Sequence, residues 1–369
     1  MQRHHFKILF STILTFAFSY FLIYLILKSS DGITNTEDLA LGEFTSSVYG
    51  SSDNAFIHCK GYIDSKKCIN SAIKSNLPII LWIGNSQLHG INQYEDGQKP
   101  APEILHNILA EKNKFLLTFS LPNASLLEKF YLYKYLAYYL DIKTLVIPII
   151  MDDLREGDIR FDIKNISKDI NFVKTLDESF AIKLNSITGN DEKNDFDGLK
   201  DTYQERTEII LNKKLSSHSE AWAKRPELRA QIFNTLYRLR NTIFNINPSS
   251  ERKMIPALYN LNLTSLKDIL NETKIRNTKS ILYIAPIRND VKIPYNINEY
   301  NKFKEDIKII AKKHNTTLLN LENLVPNKYW GLKGSTSTSD TSEIDFMHFQ
   351  SEGHLILSKE LSLSILAID

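Results

Sequence analysis

Two short stretches carry side chains able to do nucleophilic chemistry. One is Gly84-Asn85-Ser86, directly after an apolar run at 77–83. A serine at a strand-to-helix turn is held exposed, and the start of a helix favours negative charge beside it. Such a hydroxyl is a nucleophile if a base reaches it, and otherwise a plain helix cap. The other stretch is Asp345-Phe346-Met347-His348, just ahead of the last helical pattern. In a turn, that spacing lets the carboxylate fix the imidazole tautomer and stabilise the imidazolium formed when the ring takes a proton. The plain alternative is an Asp capping a helix beside an unrelated surface His. His354 is a rival base, but its place inside the following helix favours facing outward or packing. His89 either lines a site or packs, and the loop 94–100 is either a pocket wall or an ordinary surface loop.

These residues must be positioned by the elements around them. Apolar runs of strand length fall at 77–83, 115–121, 144–150, 280–284 and 316–321. Helical patterns alternate with them at 102–112, 124–139 and 299–314, and a closing one runs from 351 to about 365. This alternation predicts an α/β fold, a mostly parallel sheet with helices on both faces. In such sheets sites form at the carboxyl ends of strands, where Ser86 falls. The alternation breaks between about 157 and 277, which reads as an inserted helical segment with patterns at 199–215 and 217–244. That segment is a cap without chemistry, a lid or a docking surface.

The 369 residues are 43% apolar and 24% charged, with 45 Lys plus Arg against 43 Asp plus Glu. A formal net charge of +2 excludes a nucleic-acid reader driven by bulk charge, so no nucleic-acid partner is expected. The apolar content excludes a disordered chain. Residues 8–27 form an uncharged run about as long as a bilayer-crossing helix needs. Arg3 and Lys7 precede the run, and Asp31, Glu37, Asp38 and Glu43 follow it. The expectation is a transmembrane anchor over 1–28, N-terminus in the cytoplasm, with everything beyond outside; the alternatives are a buried core helix or a cleaved signal peptide. Residues 29–74 read as a tether, and 75–369 as one α/β domain enlarged by the insertion. Outside the cytoplasm Cys59 and Cys68 can pair; the alternative is two free thiols. Two Cys and one nearby His58 fall short of a metal site, and no cofactor is expected.

A Ser after the first strand and an Asp-x-x-His after the last, with strand–helix alternation between, resembles the SGNH (GDSL-like) hydrolase superfamily. The resemblance implies a three-layer α/β/α fold and a Ser86-His348-Asp345 triad, with Asn85 where that family usually has Asp. Gly353 falls where the late block often carries a Gly. It also implies oxyanion donors after the second and third strands. Here those places hold Asn123, which can donate, and Asp152-Asp153, which cannot when ionised; Arg155 either adds positive charge or pairs with them. The Ser86 backbone N–H is the other donor. In layout the chain is similar to the D-alanyl-lipoteichoic-acid transfer protein family. That likeness implies a bacterial cytoplasmic-membrane protein, single-pass, with its domain facing out. It further implies a multi-span O-acyltransferase partner and a polysaccharide or polyol-phosphate polymer as substrate. Esterase, acyltransferase and non-catalytic accessory protein all remain open at this point.

Overall fold

The computed structural model describes residues 47–91, 94–157, 159–176, 225–339 and 341–368. The expected span at 8–27, the tether up to 46 and the helical pattern at 199–215 lie outside these residues. Among the described residues no helix is long and apolar enough to cross a membrane. By compactness the chain divides into two units, 44–195 with 247–334 and 341–369, and 1–43 with 196–246 and 335–340.

The larger unit holds six parallel strands: β1 (His58–Cys59), β2 (Ile79–Gly84), β3 (Phe115–Ser120), β4 (Ile142–Ile149), β5 (Lys279–Ile284) and β6 (Thr317–Asn320). Their order is β1-β3-β2-β4-β5-β6. The central strands are buried along nearly their whole length, which is why they read as unbroken apolar runs instead of alternating ones. The five strands expected from the sequence all form, within two residues of the expected ends. Two antiparallel strands, β7 (Trp330–Lys333) and β8 (Glu343–Phe349), make a separate ribbon that periodicity did not reveal. Among the described residues the helices of ten residues or more, in chain order, are α1 (Ser65–Ser75), α2 (Ala101–Ala110), α3 (Leu126–Tyr139), α4 (Arg225–Ile243), α5 (Pro256–Ile275), α6 (Ile297–Lys313) and α7 (Ser351–Ile368).

Successive strand residues face opposite ways, and this sorts the core into two layers. Leu81, Ile83, Leu117, Phe119, Leu145 and Ile147 pack with α1, α3, α5 and α6 through residues such as Cys68, Leu136, Ile269 and Phe303. Ile80, Trp82, Leu116, Val146 and Tyr283 pack on the other face with Leu105 and Leu109 of α2 and with Leu357, Leu361 and Ile365 of α7. The start of α3 is set by a capping box in which Ser125 accepts from the Glu128 N–H and Glu128 reaches back to the Ser125 N–H.

Two expected boundaries move. Residues 48–74 are not a free tether: β1 joins the sheet beside β3, and Ile57, Cys59, Cys68, Ile69 and Ala72 are core. The two-residue β1 is too short to show a period, so its stretch read as linker. The insertion also ends before 277. α5 is the crossover helix between β4 and β5, and Leu266, Ile269 and Leu270 are buried under the sheet. Its Asn and Thr content hid that face from a composition-based reading.

Cys59 and Cys68 are disulfide-bonded and tie the end of β1 to α1. A loop this short, closed in the unfolded chain, contributes about 2–3 kcal/mol on the chain-entropy account. Replacing both cysteines by alanine is therefore expected to lower the unfolding free energy by that amount in urea titration. An unchanged midpoint would show that the bond does not clamp the fold.

In the smaller unit, α4 holds the segment 335–338. Arg238 Nε donates to the Ser337 carbonyl at 2.7 Å, and Asn241 Nδ2 donates to that of Thr336 at 2.8 Å. Ile232, Leu236, Leu239 and Ile243 recur at helical spacing on α4 and are exposed.

Candidate active site

β2 ends at Gly84, and the chain turns at once into one 3-10 turn, Ser86–Leu88. Only glycine fits at 84: a Cβ there would lie 2.3 Å from a Leu88 carbon, and Leu88 is fully buried. The turn is bonded from several sides. Asn85 Oδ1 accepts from the Gln87 N–H at 3.0 Å, and Asn85 Nδ2 donates to Asp153 Oδ1 at 3.3 Å. Gln87 Nε2 donates to the carbonyls of Pro286 and Met347, each at 2.8 Å. One side chain thus joins the Ser86 turn to the loop after β5 and to β8.

β8 delivers the other residues. Asp345 Oδ1 accepts from the backbone N–H groups of Met347 and His348 at 2.9 and 3.0 Å, the pattern of an Asx turn, within β8. Its Oδ2 lies 2.9 Å from His348 Nδ1, and His348 Nε2 lies 3.1 Å from Ser86 Oγ. With Nδ1–H donating to the Asp345 carboxylate, Nε2 presents a lone pair to the serine hydroxyl. Ser86 is partly exposed, whereas His348 and Asp345 are buried. Burial alone would push the Asp345 carboxyl up; the adjacent His348 imidazole and the backbone donors instead hold it well below the usual carboxylate range. Gly353 lets α7 close on this strand, since a Cβ would meet Phe349 at 2.8 Å.

The expected triad residues are therefore brought within hydrogen-bonding distance of one another across 262 residues of sequence. Of the other expected site residues, Asn85 stays in the Ser86 turn and Asp153 meets that turn through Asn85, whereas Asn123, Asp152 and Arg155 are held in other contacts. Asn123 stands in the turn after β3. It sits in the left-handed region at φ 53°, exposed, in a turn closed by the Ala124 N–H on the Leu121 carbonyl at 3.2 Å. Asn is favoured there because it tolerates positive φ, so its presence reflects turn geometry. Asp152 and Arg155 pair with each other at 3.2 Å; Arg252 also pairs with Asp152, and Arg155 Nε donates to the Lys253 carbonyl. That cluster braces the segment leading into α5.

Asp153 is buried and pairs with the fully buried Lys129 at 2.6 Å. Lys129 Nζ also donates to the Pro148 carbonyl at 3.3 Å. Burial pushes the Asp153 carboxyl up and the lysine pulls it back, leaving it above its ordinary value. The pair bears on Ser86 through Asn85. Sequence reasoning missed Lys129, and its signal was available: a lysine amid Leu126, Leu127, Phe130 and Tyr131 has no solvent side to occupy.

Three histidines near the site are buried: His58, His89 and His354. His354 Nδ1 accepts from the Ala101 N–H at 3.0 Å, which settles its packing role and removes it as a rival base. Burial, then the neighbouring His348, lowers His89 and His354 to about 3 each. Burial, then His89, carries His58 well below its ordinary value. All three fold neutral and take up protons on unfolding near pH 6.5, so stability is lost as pH falls below 6.5. Between pH 7 and pH 5 each should cost about 2 kcal/mol. Urea titrations at the two pH values are expected to differ by several kcal/mol; equal midpoints would contradict neutral burial.

No family model and no curated protein matches the chain. Among solved structures, the chain is similar to a GDSL-like lipase from Bacteroides thetaiotaomicron, with 10% identity and a TM-score of 0.38, over 84% of this chain and 98% of that one. It is also similar to an acetylxylan esterase from Geobacillus stearothermophilus, with 10% identity and a TM-score of 0.37, over 77% of this chain and 92% of that one. Overlap this loose says nothing about chemistry, so the roles of Ser86, His348 and Asp345 rest on the distances between them.

Proposed function

We propose that this chain is a serine esterase or O-acyltransferase of SGNH type, with Ser86 as nucleophile, His348 as base and Asp345 as its orienting partner. The observation that carries this reading is the unbroken path from Asp345 Oδ2 through the imidazole to Ser86 Oγ, at 2.9 and 3.1 Å. Ser86 Oγ attacks the ester carbonyl while His348 Nε2 takes the hydroxyl proton. The leaving alcohol departs with that proton, and the acyl group stays on Ser86. A second hydroxyl, from water or from a sugar or polyol, gives its proton to His348 and takes the acyl group, and His348 passes that proton to the departing Ser86 Oγ. Ser86's own N–H is the donor proposed for the oxyanion. Asn123, exposed in the turn after β3, is the second donor candidate; Asp153, paired with Lys129, is not a donor.

The proposal extends to place and partner. The uncharged run at 8–27 supports a single-pass anchor in a bacterial cytoplasmic membrane with the domain outside. The Cys59–Cys68 disulfide supports an oxidising compartment independently. A cell-envelope polysaccharide or polyol-phosphate polymer is the proposed substrate. A second reading, an accessory protein that docks on a multi-span O-acyltransferase, is favoured by the exposed apolar stripe of α4.

The test is turnover of p-nitrophenyl acetate by the purified full-length chain in detergent, with and without an added polyol. Ser86→Ala is expected to remove turnover to background, and an acylated polyol would assign transfer over hydrolysis. Equal turnover by Ser86→Ala and wild type would sink the assignment.

A further inference from the structure

A second serine in this unit is also bonded to histidine. Ser120, the last residue of β3, is fully buried, and its Oγ lies 2.6 Å from His58 Nε2 and 2.6 Å from His89 Nε2. No substrate reaches a hydroxyl with no exposed surface, so Ser120 is not a second nucleophile. What the bonds do follows from counting protons. His58 Nδ1 accepts from the Gly50 N–H at 2.9 Å, so the neutral ring carries its proton on Nε2 and donates to Ser120 Oγ. The Ser120 hydroxyl then has its own proton free for His89 Nε2. The bonds run in one direction: Gly50 to His58, His58 to Ser120, Ser120 to His89.

His89 closes the turn that carries Ser86, with its N–H donating to the Ser86 carbonyl at 3.0 Å. Ser120 lies beside Gly84 in the β2–β3 register, and the Leu121 N–H donates to the Gly84 carbonyl at 3.0 Å. The cluster therefore grips the nucleophile turn at both ends, just before Asn85 and just after Leu88. An outer strap shuts it. Val48 and Gly90 exchange backbone bonds of 2.7 and 2.9 Å, and the Tyr49 ring centroid lies 5.0 Å from that of His58 and 4.4 Å from that of His89.

We infer that His58, Ser120 and His89 are positioning residues: their directed hydrogen bonds hold the Ser86 turn where His348 can reach the hydroxyl. This inference rests on the proposed role of Ser86. Removing the Ser120 hydroxyl leaves two imidazole nitrogens buried without a partner, and the turn relaxes to relieve them. A displacement of about 1 Å at a nucleophile costs about 10²-fold in rate.

The experiment uses the full-length chain carrying Ser120→Ala, His89→Leu or His89→Gln. The glutamine keeps an acceptor for the Ser120 proton; the leucine does not. Ser120→Ala and His89→Leu are expected to lower kcat on p-nitrophenyl acetate by about 10²-fold with KM unchanged, and His89→Gln to stay within a few-fold of wild type. Hydrogen exchange read by mass spectrometry on the peptide spanning 85–90 supplies a measure that does not depend on turnover. Its amides should exchange at least about tenfold faster in Ser120→Ala and His89→Leu, and near the wild-type rate in His89→Gln. Wild-type kcat in both disabling variants, a change in KM alone, or unchanged exchange at 85–90 overturns the inference. A wild type that turns nothing over defeats the proposed role of Ser86 instead, and exchange still decides whether the cluster positions the turn.

Discussion

Asp345→Asn is expected to lower kcat about 10⁴-fold, the size of effect seen when a triad carboxylate becomes an amide. The reason is local. The amide keeps Oδ1 to accept the Met347 and His348 N–H groups, now at 2.9 and 3.0 Å, so the turn within β8 should persist. What changes is the group facing His348 Nδ1. An NH₂ there demands an acceptor, which moves the ring proton to Nε2 and leaves Ser86 without a base. Steady-state kinetics on p-nitrophenyl acetate, alongside a melting curve, separates this from unfolding. A variant that melts near wild type and loses activity supports the orienting role. A variant with wild-type kcat refutes it.

Lys129→Met is expected to have the largest effect on stability. It fills the volume of the stem but leaves Asp153 buried beside Asn85 with no cation. Removing one partner of a buried pair typically costs about 3–5 kcal/mol. The loss should be largely recovered in Lys129→Met combined with Asp153→Asn, because an uncharged Asn has little to gain from a cation and can still accept from Asn85 Nδ2. Urea unfolding of wild type, single and double variants reads this directly. A single variant as stable as wild type would show that the pair does not hold the turn's foundation.

The distribution of what the sequence disclosed follows physical lines. Ser86 was legible because it follows directly on the end of β2, and Asp345 and His348 because their spacing pairs a carboxylate with an imidazole just ahead of α7, although both lie inside β8, which periodicity did not reveal. The central strands were legible because burial on both faces leaves only apolar residues, as in Ile79–Gly84. β1 escaped because two residues show no period, although His58 and Cys59 tie it to the site and to α1. Asn123 was legible only as a residue type, since asparagine serves both turn geometry and hydrogen-bond donation; its φ of 53° shows the first of these. Lys129 and the His58–Ser120–His89 cluster depend on contacts between segments 24 or more residues apart, which no local pattern encodes.

The central claim is that Ser86 is an activated nucleophile, and covalent capture tests it most directly. The full-length chain is treated with a fluorophosphonate, digested and read by mass spectrometry. The adduct is expected on Ser86 alone, lost in Ser86→Ala and strongly slowed in His348→Ala. A wild-type chain that stays unlabelled under conditions that label a known serine esterase, or one labelled equally well after His348→Ala, would contradict it.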